Sequence, residues 1–223
     1  MTSTRLRSLA GLTVVAAVAL SGCSSVPALN GGVAARVADD TVTLQQVADT
    51  SAAYCSAVET QLQEGQTVAN SVVSSQVAGS LALRAAAEQF AAAEGVSADA
   101  SFEDNRQGLE TSIAGLTETQ KQAVRDVNLA RPYATAVELA VGKKLDSSAD
   151  ATAAAKAGTD AFSAWIADHD VRIDPRFSVS IEGGEIGRTD TEISLPVSKI
   201  AQDATATDNQ DYSAALPSTQ RCG

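Results

Sequence analysis

Between residues 68 and 95 apolar side chains recur at the spacing of one helix face. Val68, Val72, Val73, Val77, Leu81, Ala85 and Phe90 form a broad stripe, and Gly95 stands where a left-handed C-cap belongs. A helix of this length with one apolar side needs other elements to cover it, so the chain is committed to helical packing. Composition agrees, because the 44% hydrophobic content leans on alanine and only 4% is aromatic, a mixture that favours helices packed through small residues. Gly79, inside the stripe, is a mild weakness in an otherwise continuous helix.

Further helices follow from similar signals. Thr43 caps a helix that runs through Leu44, Val47, Ala48, Tyr54, Cys55 and Val58 until Glu64-Gly65. Ser97 or Ser101 opens a shorter one through Leu109 and Ile113, ending at Gly115. Thr117 with Gln120 fits a capping box for a helix through Val124, Val127 and Leu129. Pro132 predicts a kink or break near Arg131, after which Tyr133, Val137, Leu139 and Val141 continue to Gly142 and Leu145. Ser147 or Ser148 opens a last helix carrying Ala157, Ala161, Phe162, Trp165 and Ile166. Strand signals sit at the two ends of this helical set. Val33-Ala34-Ala35-Arg36-Val37-Ala38, a turn at Asp39-Asp40 and Thr41-Val42 read as a hairpin. Val171-Arg172-Ile173-Asp174-Pro175 reads as a strand entering a proline-set turn; Gly183-Gly184 is a second turn and Ile193-Ser194-Leu195-Pro196-Val197 a last short run. The expected class is mainly α, with a short N-terminal hairpin and a small C-terminal β element.

The chain before the hairpin has a different character. Arg5 and Arg7 precede an apolar run over 9–20 that is too short for an ordinary spanning helix and ends at Leu20-Ser21-Gly22-Cys23. This reads as a lipobox: 1–22 is a lipoprotein signal peptide, and the Cys23 thiol receives a diacylglycerol group before cleavage makes it the first mature residue. Two or three acyl chains, palmitate among them, would anchor the protein to the cell membrane on its extracytoplasmic face. The stretch 23–32, with Pro27 and Asn30-Gly31-Gly32, is a flexible tether, and 33–202 is the folded domain. The polar residues 203–223 read as an irregular tail anchored at Cys222. With Cys23 claimed by lipid, Cys55 and Cys222 remain as an even pair in an oxidising compartment, which predicts a disulfide; two free thiols is the other reading.

The formal net charge is −11, and losing Arg5 and Arg7 with the signal peptide makes it more negative, which argues against nucleic-acid binding. No catalytic constellation is expected. His169, between Asp168 and Asp170, is explained by a helix C-terminus, and one histidine with scattered carboxylates gives no metal-ligand spacing. Gly183-Gly184 lacks the Lys-Ser/Thr pair of a phosphate loop, so no nucleotide or other cofactor is implied.

The opening Ala34-Ala35-Arg36-Val37-Ala38-Asp39-Asp40-Thr41-Val42-Thr43 and the closing Val171-Arg172-Ile173-Asp174-Pro175-Arg176-Phe177, with helices between them, resemble the SurA and PrsA families. Ser178 stands where the closing motif usually has glycine, and the parvulin prolyl-isomerase domain those families usually insert has no room here. The resemblance implies a SurA N-terminal-like helical domain that holds unfolded or extended segments of exported proteins in an apolar cleft, without isomerase activity. Phe90, Phe102, Tyr133, Phe162 and Trp165 are the candidate lining residues, although helix aromatics also serve as core. The alternative is a non-enzymatic envelope adaptor that contacts one folded partner.

Overall fold

Thr43 and Gln46 begin the helical part of the chain with a reciprocal cap: the Gln46 N–H donates to Thr43 Oγ1 at 3.0 Å and the Thr43 N–H donates to Gln46 Oε1 at 3.0 Å. The computed structural model describes residues 31–189, 198–199, 202 and 210–223. The stretch 1–22 expected to be a signal peptide, Cys23, most of the expected tether, the run 193–197 and the start of the expected tail lie outside the described residues. The fold is mainly helical with small antiparallel β elements, as its periodicity predicts.

The hairpin is β1 (Val33–Val37) and β2 (Asp40–Thr43), with Ala38 in a left-handed conformation at the turn, so the turn falls one residue earlier than expected. β4 (Val171–Ile173) pairs antiparallel with β1, Arg36 opposite Arg172, so the two ends of the helical set meet in one sheet of order β2-β1-β4. Asp174 caps a single 3-10 turn, Pro175–Phe177, which closes at Ser178 with φ 50° and ψ 36°. That is the conformation glycine favours, carried here by serine. β5 (Val179–Glu182) and β6 (Glu185–Arg188) follow as a tight hairpin, and both Gly183 and Gly184 supply the positive φ of its two-residue turn.

Helix α1 (Leu44–Glu59) ends before the expected Glu64-Gly65. α2 (Asn70–Glu94) starts later than its apolar stripe because Val68–Ala69 (β3) pair instead with Arg221–Cys222 (β7). Its C-cap is Gly95 at φ 62°, as the sequence predicts. Gly79 is a contact rather than a defect: a Cβ there would stand 2.7 Å from Ile186 Cγ2 of β6. α3 (Ser101–Ser112) has Ala100 rather than a serine at its N-cap and no side-chain cap there; the Asp99 carboxylate accepts from the Ser101 N–H just before it. α4 (Glu118–Asn128) has the expected Thr117–Gln120 box. The break before α5 (Ala130–Leu145) falls at Leu129, ahead of Arg131, which leaves Pro132 in the first turn where its missing N–H costs nothing. α6 (Ala151–Asp168) is capped by Asp150, because Ser148 is spent on the Asp146 carboxylate. The tail is not irregular throughout, since α7 (Gln210–Ala215), a 3-10 turn at Ser218–Gln220 and β7 order its end.

The main core is built from small residues. Ala34, Ala35, Val37, Val77, Ala78, Ala82, Leu83, Ala86, Val137 and Val141 are all buried around Phe90 and Phe162. Helices α5 and α6 cross closely enough that a Cβ on Gly142 would collide with the Ala154 carbonyl, and one on Gly158 with the Glu138 carbonyl. A second, smaller cluster holds Ala57, Ile113 and Val124, joined by Tyr54, whose hydroxyl donates to Asn128 Oδ1 at 3.1 Å.

Candidate functional site

The five aromatic candidates do not form one cleft. Phe90 and Phe162 are 1% and 0% exposed and stack at 5.0 Å between ring centroids, so they are core and line no surface; α2 and α6 bury them because both stand on facing stripes. Trp165 is half-buried, packed against both rings at 6.1 and 6.3 Å, and is covered by His169 at 4.1 Å. His169 Nδ1 lies 2.7 Å from the Trp165 carbonyl oxygen, so the one histidine serves as a helix-end group. Phe102 and Tyr133 meet edge-on at 5.3 Å on α3 and α5, and the Arg84 guanidinium sits 3.6 Å above the Tyr133 ring. The same guanidinium pairs with Glu88 at 2.6 Å. This pair is a closed surface contact.

A groove opens elsewhere, where the start of α2 lies beside α1 and the Pro175–Phe177 turn. Its larger part, about 740 Å³, is floored by Leu44, Val47, Val73 and Phe177 and edged by the exposed Ala48, Ala52 and Ser56. A smaller part, about 350 Å³, shares Ser71, Arg176 and Phe177 with the first and continues past Val72, Ser75 and Gln76 to Val179 and Arg188. Both volumes fall in the roughly 300–1,000 Å³ range of ligand clefts. Small and hydroxylated side chains dominate the walls, and Ser51 Oγ in the larger part is buried without a hydrogen-bond partner.

The sequence elements that build this groove also fix it. Cys55 of α1 forms a disulfide with Cys222, Cα atoms 5.5 Å apart, and Cys55 itself lines the larger part. β7 then pairs with β3 at the entry to α2, Asn70 Nδ2 donates to the Thr219 carbonyl at 3.1 Å, and the Gly223 N–H donates to Glu59 at 3.2 Å. On the opposite side Asp174, itself buried, accepts from the Arg176 N–H at 3.0 Å and faces Arg176 Nε at 3.1 Å. Arg176 and Phe177 were legible only as part of the closing motif, and Ala48, Ala52 and Ser71 carry no signal in a chain so rich in such residues.

Beside the β5–β6 hairpin a buried carboxyl stands out. Glu138 of α5 is 3% exposed; its Oε2 accepts from Thr159 at 2.8 Å, while Oε1 has no partner and lies where a Cβ on Gly184 would be 2.5 Å away. Arg131 is turned to the hairpin instead, donating to the Gly184 carbonyl and to Glu185 Oε1 at 2.5 Å. Burial pushes the Glu138 carboxyl above its ordinary value, the Thr159 bond and Arg131 oppose this, and Glu185 adds to it. The fold therefore prefers the protonated acid, so stability falls as pH rises from the ordinary carboxylate range through the raised value and is level beyond it. Glu138→Gln is expected to gain on wild type by about 1 kcal/mol near pH 7.5 and by much less near pH 4.5. Thermal melts of both proteins across that range test this; a difference that does not change with pH would contradict it.

Among the described residues, no three His, Cys, Asp or Glu side chains gather as a metal site, and no helix is long and apolar enough to cross a membrane. The groove's lining presents apolar side chains and hydroxyls, with Arg176 at its edge held by Asp174. No protein-family model, curated protein or solved structure matches this chain.

Proposed function

We propose that this chain is a SurA-like, lipid-anchored module on the extracytoplasmic face of the cell membrane, and that it holds unfolded or extended segments of exported proteins without acting as an enzyme. The groove along α1, the start of α2 and the Pro175–Phe177 turn carries the reading. It is elongated, floored by apolar side chains and walled by small ones, so it suits a backbone of varied sequence better than one rigid ligand. The pairing of β1 with β4 supports the family resemblance, because the two segments on which it rests meet in one sheet. Anchoring rests on Cys23 in its lipobox, with 24–32 as the tether. The one histidine is bound to Trp165 and does not line the groove.

A form starting at Ser24 is expected to suppress aggregation of an unfolded exported protein at equimolar to several-fold excess. The same form leaves X-Pro isomerisation at its uncatalysed pace of roughly tens of seconds. Light scattering and a peptide isomerisation assay read the two halves. No protection at several-fold excess would favour an adaptor for one folded partner, and a clear isomerase rate would overturn the non-enzymatic reading.

A further inference from the structure

We infer that α3 is a cover that melts on its own from the otherwise folded domain and bares a second apolar surface, on α4 and α5, which shares no lining residue with the groove. Among the described α-helices α3 alone buries no residue, whereas α2 buries eleven. Half of its 12 residues are Ser, Asp, Asn, Gly or Thr, and its N-cap, Ala100, supplies no side-chain bond. A helix of that length is marginal in water without packing to hold it. Two cavities flank it, one of about 480 Å³ towards Leu129 and Pro132 and one of about 460 Å³ towards Gln61 and Val124, and its own Leu109 and Ser112 line both. Loose packing on both sides is the mark of a segment that opens below the free energy of global unfolding.

The contacts that hold α3 lie near the surface. Phe102 meets Tyr133 edge-on at 5.3 Å, and Arg125 of α4 donates to Glu110 Oε1 at 2.7 Å and to Oε2 at 2.9 Å. The guanidinium holds the Glu110 carboxyl below its ordinary value, but both side chains are partly exposed and salt screens them. Both flanks have anchors of their own. The Val96 N–H donates to the Ala91 carbonyl at 3.0 Å and its side chain packs on the main core, while Ile113 is buried in the smaller cluster. Melted α3 is therefore a loop between two fixed points, and the rest of the fold does not depend on it. Folded α3 lies over Leu129, which is 7% exposed, and Leu145 is the one large hydrophobic side chain left exposed among the described residues. The second apolar surface thus exists only when α3 is open.

The test is hydrogen exchange, read by mass spectrometry, on the full lipidated chain in non-ionic detergent micelles. The amides of α3 are expected to exchange at least about 100-fold faster than the slowest amides of α2. Urea below the unfolding transition should quicken α2 steeply and α3 only slightly, because opening α3 alone exposes little surface. Gly108→Ala is expected to slow α3 exchange about threefold through helix propensity. Leu129→Cys adds a single free thiol beside α3, and its labelling by a maleimide should slow by the same factor when Gly108→Ala is combined with it. Protection of α3 within about tenfold of α2, an equal response of the two helices to urea, or α3 exchange that Gly108→Ala does not slow would each overturn the inference. Labelling that Gly108→Ala leaves unchanged would overturn it as well, since α3 would then cover nothing at Leu129.

Discussion

Replacing both Cys55 and Cys222 by serine is expected to lower the stability of the folded chain by about 4 kcal/mol. The two cysteines are 167 residues apart, so their bridge restricts most of the domain in the unfolded state, and the chain-entropy estimate grows with loop length. The tail keeps other contacts without the bridge: the β3–β7 pairing, Asn70 to the Thr219 carbonyl, and the Arg221 guanidinium to the Ala214 carbonyl at 2.5 Å. Those few bonds are each worth about 1 kcal/mol net, too little to hold the chain end in place once the groove wall at Cys55 is released. Urea titration of the variant beside oxidised and reduced wild type measures the effect. A loss below about 1 kcal/mol would mean that the bridge is incidental to the fold.

One glycine-to-alanine change is expected to act with opposite sign at different helical sites. At Gly142 and Gly158 the added methyl meets the backbone carbonyls of Ala154 and Glu138, which cannot step aside as a side chain can. α5 and α6 would have to part along their crossing, and a loss of about 3 kcal/mol or more is expected for each change, at the upper end of overpacking costs. Gly108, in α3, faces open space, so alanine there is expected to add about 0.5–1 kcal/mol through helix propensity alone. For a domain of this size 1 kcal/mol moves the melting temperature by about 2–4 °C, so thermal melts separate the two signs clearly. No loss at Gly142 and Gly158 would contradict the close α5–α6 crossing, and a loss at Gly108 would contradict its open surroundings.

The sequence revealed elements better than their edges. The capping box at Thr117 and the glycine at 95 could be read directly, because each is a local bond or a backbone conformation set by nearby residues. The start of α3 and the Asp150 cap of α6 were less legible, since several serines competed for those places and only the packed chain decides which side chain faces a free N–H. The start of α2 depended on a strand more than a hundred residues away, a pairing that no local pattern encodes. The disulfide was legible by parity and compartment, and the structure places the two cysteines at bonding range.

The candidate site was the hardest part to see. Aromatics drew the eye to α2 and α6, yet large rings on facing stripes are what a core of alanines and valines needs to fill its volume. The groove is instead made of what is common in this chain: alanine and serine on α1 and α2, with Phe177 and Arg176 brought across by a turn whose last residue is left-handed. Only the fold brings these residues together, because Ala52 and Arg176 have no relation in sequence spacing.

The most direct measurement of a groove-binding role is aggregation suppression by Ala48→Glu/Ala52→Glu, set beside Ala164→Glu/Ala167→Glu. All four alanines are exposed, so neither variant disturbs the core, but only the first pair stands on the groove wall. The first variant is expected to lose most of its protection of an unfolded exported protein while melting close to wild type, and the second is expected to protect as wild type does. Undiminished protection by Ala48→Glu/Ala52→Glu would contradict binding in this groove.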